Sequence, residues 1–519
     1  MALTRAHAPG FQRARTGLVH GARDWNKLGQ GGACLVEPQV ALRDLHESGG
    51  AVGRIEKAVS SLNQLETELE RTKQRVQENS AIVSPLRSLP PEVLEEIFSF
   101  ALPPPGERIG RQSFTREAPW SLTQVCRRWR LIAQSFPPLW TTISIHSAGD
   151  SFPLPALRKQ ISLSGNRPLL IRFISAITLE PCSALLMLLA RHSDRWELAD
   201  LRIAKPEQAE ILRRVRGGLG VPLLRSLRVD ACSLNKEIYG CFDVAPNLRH
   251  LTISNPLPSL ALPWSQLVSL DVTGSALIIL RLLKRTTNIR ECRLRPFACQ
   301  EVSRLQPQPA RLPHLQKLYV QDAQILDYLV LPSLKELFLP HDCVRSAVAL
   351  VHRSSCSPEK LFTFEGHTPR AVGQILKECP SITTLGMQVA WDDAAALSRL
   401  LQQLRPTGTG TGTGACLAPN LTALSFAGCI DAHDAVLADM LDTVAARRCV
   451  PKQNGPCRQL EFLGLFMPEA ETWLTERLDV FRARGLRVHI ATGPDAHWTN
   501  ARVPDVLSHW SDPAAAFGD

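Results

Sequence analysis

The chain has 519 residues, 44% hydrophobic and 21% charged, with a formal net charge of +10. The apolar share is enough to bury a core along most of that length, which excludes a wholly disordered chain. No run approaches the roughly 18 apolar residues of a membrane span; the stretch Ala184–Ala190 is too short, and nothing at the start reads as a secretory leader. The 14 cysteines include no C-x-x-C pair, so reduced thiols and a cytoplasmic or nuclear setting are expected. The basic residues are dispersed, without an interleaved aromatic cluster, so no nucleic-acid binding is expected from the charge.

Residues 1–50 carry Gly-rich and charged stretches with no sustained period and are expected to be a disordered N-terminal segment. A heptad follows over 51–83: Ile55, Leu62, Leu69, Val76 and Val83 stand seven apart, with Ala58, Leu65, Thr72 and Asn79 in the companion column. This spacing predicts a long helix or a coiled coil. Thr72 and Asn79 weaken the second column, so weak or no self-association is expected.

From Ser84 to Ile145 the chain reads SPLRSLPPEVLEEIFSFALPPP, an interruption, and PWSLTQVCRRWRLIAQSFPPLWTTISI. The first part predicts a proline-started helix with Val93, Leu94, Ile97 and Phe98 on one face. The second predicts one helical stripe through Leu122, Val125, Cys126, Trp129, Ile132 and Ala133, before a Pro-Pro break and Leu139-Trp140. So many large apolar groups in so small a unit point to docking on a partner. These residues resemble an F-box: Leu89, Pro90, Glu92, Val93, Leu94, Ile97, Phe98, Val125, Cys126, Arg127, Trp129, Leu139 and Trp140 fill the family's pattern. A loop-like insert, Ala101 to Pro119, separates the two halves, as it often does in the F-box-like proteins of mushroom-forming fungi that 84–146 resembles. The resemblance implies that Leu89, Pro90, Val93, Leu94, Ile97, Phe98, Val125, Trp129, Leu139 and Trp140 bind the Skp adaptor of an SCF-type ubiquitin ligase and, through it, a cullin scaffold.

Residues 147–195 predict a connecting region, with a helix at Leu154–Leu163, a strand at Leu169–Ile174 and a helix from Ser183 to His192. Over 196–492 a Leu-x-x-Leu-x-hydrophobic pattern recurs, from Leu198/Leu201/Ile203 through Leu315/Leu318/Val320 and Leu334/Leu337/Leu339 to Leu460/Leu463/Leu465. Most intervals are 19 to 26 residues, two are 39, and one gap of 48 holds Phe362 and Phe364. Proline stands two residues before the first apolar position at Pro222, Pro246, Pro313, Pro332, Pro380 and Pro419, where it ends a helix without breaking a strand ladder. Short strands at this spacing predict an α/β fold: an irregular leucine-rich-repeat solenoid behind the heptad helix and the F-box-like unit. Its ninth-position Asn or Cys is met only by Cys232 and Cys429. Residues 493–519 read as a C-terminal tail.

No motif for hydrolase, zinc-enzyme or nucleotide chemistry is present; the Thr-Gly tract at 407–414 follows a helical stretch and lacks a Gly-Lys-Ser/Thr. Asp431 and His433 read as helix-start residues, and Cys126 as a packed, inert thiol. No catalytic residue, metal or cofactor is therefore expected. The expected role is a non-catalytic adaptor whose repeats hold an unknown substrate protein, with a non-ligase interaction scaffold as the alternative. Strand alternation turns one set of side chains outward. Among these, Lys317, Tyr319, Glu336 and Phe338 are expected to bind substrate: an exposed aromatic pair bordered by an ion pair between Lys317 and Glu336.

Overall fold

The computed structural model describes residues 57–75, 89–102, 118–146 and, between connecting stretches, 153–492. The readings placed on 1–50, residues 103–117 of the insert, the Thr-Gly tract, Cys232, Phe364, Cys429, Asp431, His433 and the tail lie outside the described residues. The chain divides into two compact units, Met1–Pro90 and Pro91–Asp519. In the first, helix α1 spans 57–75 and exposes every residue, with Val59, Leu62, Leu65 and Leu69 as its large apolar groups. Ile55, Val76, Asn79 and Val83 of the heptad lie outside the described residues.

The second unit opens with α2 (Pro91–Phe100), α3 (Leu122–Val125), α4 (Arg127–Ser135) and a 3-10 turn at Pro137–Trp140. The chain then enters a mixed α/β fold whose centre is one sheet of 14 parallel strands, with no closed barrel. The strands are β1 (Thr142–His146), β2 (Leu169–Ile174), β3 (Trp196–Ile203), β4 (Ser226–Ala231), β5 (His250–Ser254), β6 (Ser269–Ser275) and β7 (Glu291–Phe297). They continue as β8 (Lys317–Val320), β9 (Glu336–Leu339), β10 (Lys360–Thr363), β11 (Thr384–Gln388), β12 (Ala423–Ala427), β13 (Phe462–Met467) and β14 (Arg487–Thr492). Each pairs with the next in chain order. Helices α5 (Leu154–Leu163), α6 (Cys182–Ala190), α7 (Ala276–Leu283), α8 (Val344–Ser354), α9 (Pro369–Glu378), α10 (Ala394–Leu404), α11 (Asp434–Arg448) and α12 (Thr472–Ala483) lie between strands.

The leucine pattern sets the register. Leu227, Leu251, Leu270, Cys292, Leu318, Leu337, Leu361, Leu385, Leu424 and Leu463 are aligned partners along ten successive strands, and all are buried. They join a single continuous core with the apolar faces of the helices, such as Ile375 and Leu376 of α9 and Leu400 and Leu401 of α10. The gap of 48 residues holds one further strand, β10. There Leu361 points inward, whereas Phe362 aligns with Phe338 and faces outward. The two 39-residue intervals accommodate α10 and α11 instead.

Polar bonds hold the turns that precede the strands. After several of the turn prolines the next residue reaches back one repeat: the Asn247 side chain donates to the Pro222 carbonyl at 2.7 Å, Ser381 to Pro358 at 2.7 Å and Asn420 to Pro380 at 3.0 Å. In the longest repeats the fully buried Arg447 does similar work. Its guanidinium donates to the carbonyls of Leu404 and Leu417 at 2.8 Å, Ala418 at 3.0 Å and Leu421 at 3.3 Å, so its charge is met by backbone dipoles. Leu385→Ala, within the leucine column, should lower unfolding free energy by about 2–5 kcal/mol in denaturant titration.

Candidate protein-docking site

Pro91 starts α2, where a missing N–H costs nothing, and the helix carries two apolar faces rather than one. Leu94 and Phe98 are buried in the unit's own core. Val93, Ile97 and Phe100, spaced i, i+4 and i+7, form a second stripe that is 38%, 36% and 82% exposed. The core is completed by Leu122, Ile132, Ala133, Leu139 and Trp140. The Trp140 indole donates to the Ala133 carbonyl at 2.7 Å and meets Trp120 edge-on at 5.1 Å. Trp129 is half-buried, its ring tilted against Phe98 at 4.9 Å.

The expected docking residues therefore divide. Leu94, Phe98, Leu139 and Trp140 hold the unit together, and Pro90, Val93, Ile97 and Val125 are exposed. Leu89 and Trp129 are intermediate. Phe100 and Leu131 are exposed apolar residues absent from the expected set. The i+7 spacing of Phe100 from Val93 was the available signal for the first.

The predicted stripe from Leu122 to Ala133 is not one helix. Cys126 is extended (φ −158°, ψ 171°), separates α3 from α4 and caps α4 by accepting the Trp129 N–H at 3.4 Å on its sulfur. It is also exposed, contrary to the packed position expected of it. The break rotates α3 away from the α4 face, which leaves Val125 exposed while Leu122 is buried. Thr123 and Arg130 stabilise the corner: the Arg130 Nε donates to the Thr123 carbonyl at 2.8 Å.

The outer face of the sheet differs from the expected solvated surface. Many of its residues are buried, among them Arg172, Asp200, Arg228, Asp271, Glu291, Glu336 and Ser425. Phe338, expected as half of an exposed pair, is 4% exposed and stacks on Phe362 at 4.5 Å and 11°. Tyr319 is half-buried beside it in register, with the Arg293 guanidinium 5.5 Å from its ring centre. Register also sets Lys317 beside Glu336, but each has an ion-pair partner on the other side: Lys317 with Glu291 at 3.2 Å, and Glu336 with Lys360 at 3.1 Å. The pairs thus form a charge row across four strands rather than a closed couple.

A second charged group, which the sequence reading missed, crosses β2 to β4. Arg172, Asp200 and Arg228 are aligned neighbours, with Arg172 to Asp200 at 3.4 Å. Burial pushes the Asp200 carboxyl above its ordinary pKa, against the pull of Arg228, Arg202 and Arg172. Burial also pushes the Cys379 and Cys416 thiols up to about 11, so both are protonated near neutrality and poor nucleophiles. Among the described residues no group of three or more His, Cys, Asp or Glu is placed to hold a metal ion, and no helix is long and apolar enough to cross a membrane.

Residues 86–146 match the F-box-like family. No curated protein shows significant similarity to the chain. An F-box-like domain therefore occupies the region whose second apolar stripe faces solvent; such domains are protein-interaction modules that generally bind a Skp adaptor.

The buried core of this unit and the exposed stripe of α2 should separate by mutation. Trp140→Ala removes a buried ring and should cost about 3–5 kcal/mol. Ile97→Ser should leave the thermal midpoint within a few degrees of the parent by circular dichroism.

Proposed function

We propose that this chain is a non-catalytic substrate-recognition adaptor of an SCF-type ubiquitin ligase. The exposed stripe of Val93, Ile97 and Phe100, standing on an already complete core inside the F-box-like region, carries the reading. Burying such a stripe against a Skp adaptor gains about 25 cal/mol per Å² of apolar surface. The adaptor in turn holds a cullin scaffold. The parallel strands with their leucine columns are read as an irregular leucine-rich-repeat solenoid, whose outer face takes the substrate protein through the region of Lys317, Tyr319, Glu336 and Phe338. Holding that substrate beside a conjugating enzyme raises the effective concentration of its lysines, with no covalent step made by this chain. The cytoplasm or nucleus is the setting for that role.

Ile97→Asp, in the intact chain, should weaken binding to a purified Skp adaptor by 100-fold or more in calorimetry while the melting curve is kept. Unchanged affinity in the folded variant would refute the docking assignment.

A non-ligase scaffold is the second reading, favoured by the exposed Val59, Leu62, Leu65 and Leu69 of α1. The adaptor reading has weak or no self-association, because Thr72 breaks the companion column of the heptad. Sedimentation equilibrium should return a monomer at micromolar concentration; a tight dimer would favour the scaffold.

A further inference from the structure

The residues that precede the strands stack into a row of their own at one rim of the sheet. Arg249, Val268, Arg290, Gln316 and Lys335 stand immediately before β5 to β9. Each backbone N–H after the first donates to the carbonyl of the one before, at 2.8 or 2.9 Å. The same ladder runs on to Arg225 and Glu197 at one end and to Glu359 at the other. At those ends the charges close: Arg225 pairs with Glu197 at 3.5 Å and Lys335 with Glu359 at 3.6 Å. Between them the charge is one-sided. The turns 245–249, 263–268, 287–290, 312–316 and 331–335 contain no Asp or Glu, and all lie within the described residues. The glutamates next in sequence, Glu291 and Glu336, belong to the outer face, where they pair with Lys317 and Lys360. Arg249 donates to the carbonyls of Pro246 and Leu248, and Arg290 is exposed; neither has a carboxylate partner among the described residues.

A hollow of about 360 Å³ opens in the middle of this stretch, lined by Val268, Asn288, Arg290, His314, Gln316 and Ser333. Backbone carbonyls that would repel an anion there already have donors. Asn288 donates to Ser265 at 2.7 Å, Ser333 to Pro313 at 2.7 Å and Gln266 to Ala245 at 2.6 Å. The Arg290 guanidinium, the His314 imidazole and the Gln316 amide remain to meet an acceptor.

We propose that this rim binds an acidic peptide segment, extended across the turns of β5 to β9. Arg249, Arg290 and Lys335 recur at every second strand, about 9–10 Å apart. Carboxylates three residues apart on an extended chain have nearly that spacing, about 10 Å. Cations and acids therefore meet in step, and the side chains of Asn288, Gln316 and Ser333 take the peptide's backbone groups in the hollow. Glu197 and Glu359 mark the ends of the site. Trp264 is buried and none of the five turns exposes a large apolar side chain, so the rim has neither a platform for nucleobases nor a wedge for lipid. The cations lie tens of residues apart in the chain, and only the stacking of turns gathers them. This rim is separate from the outer face that the proposed function gives to substrate, and the inference does not rest on the adaptor reading.

The test is fluorescence anisotropy of a labelled peptide of repeated Glu-Gly-Ser units with the intact chain at low ionic strength. The peptide should bind, and Arg290→Glu with Lys335→Glu should weaken it by about tenfold. Arg158→Glu with Arg477→Glu, at exposed positions on α5 and α12, makes the same change in net charge and should leave affinity within about twofold. Arg290→Gln, a neutral change at an exposed position, should cost about threefold and serves where the charge reversals lower the melting temperature. Failure of the intact chain to bind the peptide, equal weakening in the two charge-reversed proteins, or full affinity in Arg290→Gln overturns the proposal. So does tighter binding at this rim of a thymidine oligonucleotide of equal length or of phosphatidylserine vesicles.

Discussion

The structure rests on the register of its parallel strands. Ten aligned inner positions, from Leu227 to Leu463, form one buried column that is shared with the helices behind it. Because side chains alternate along a strand, a slip of one residue would turn that column to the outer face and drive Arg228, Asp271, Glu336 and the outer phenylalanines into the core. No strand can move without moving its neighbours. The register therefore also decides what the outer face displays: charged residues in aligned rows over β2 to β4 and β6 to β10, and aromatics on β8, β9, β10 and β13.

The repeat lengths are uneven, and side-chain bonds to backbone carbonyls bridge successive turns. Side chains of Asn247, Ser381 and Asn420 tie each turn to the preceding one. Where the interval grows to 39 residues, Arg447 gathers four backbone carbonyl oxygens. A buried cation is costly, and its tolerance here follows from complete satisfaction by dipoles rather than from a counter-charge.

The F-box-like helices lead directly into the sheet. Trp140 closes their core through its bond to Ala133, and two residues later Thr142 begins β1, the edge strand paired with β2. The apolar residues of α2 are thus sorted by a single helical rotation. Leu94 and Phe98 face the core of the F-box-like helices, and Val93, Ile97 and Phe100 face away from it.

Much of this was legible in the chain itself. The Leu-x-x-Leu-x-hydrophobic pattern located the strands because inward positions must be apolar wherever helices cover them, and the Pro-started Leu-Pro-x-Glu-Val-Leu segment located α2. Periodicity does not report on which side a second apolar stripe finds a partner, so it could not sort Leu94 from Val93. Nor could it see that Cys126 leaves the helix, since an extended residue at a capping position has the same composition as a helical one. Tyr319 and Phe338 were placed in adjacent register by spacing alone, as aligned partners on β8 and β9. That Phe338 is buried, that Phe362 extends the stack and that Lys317 and Glu336 each pair outward to further strands were decided by the tertiary structure. The physical reason is the same in each case. Local sequence sets which side of a strand or helix a residue occupies, whereas its neighbours and its contact with water depend on chain segments tens to hundreds of residues away.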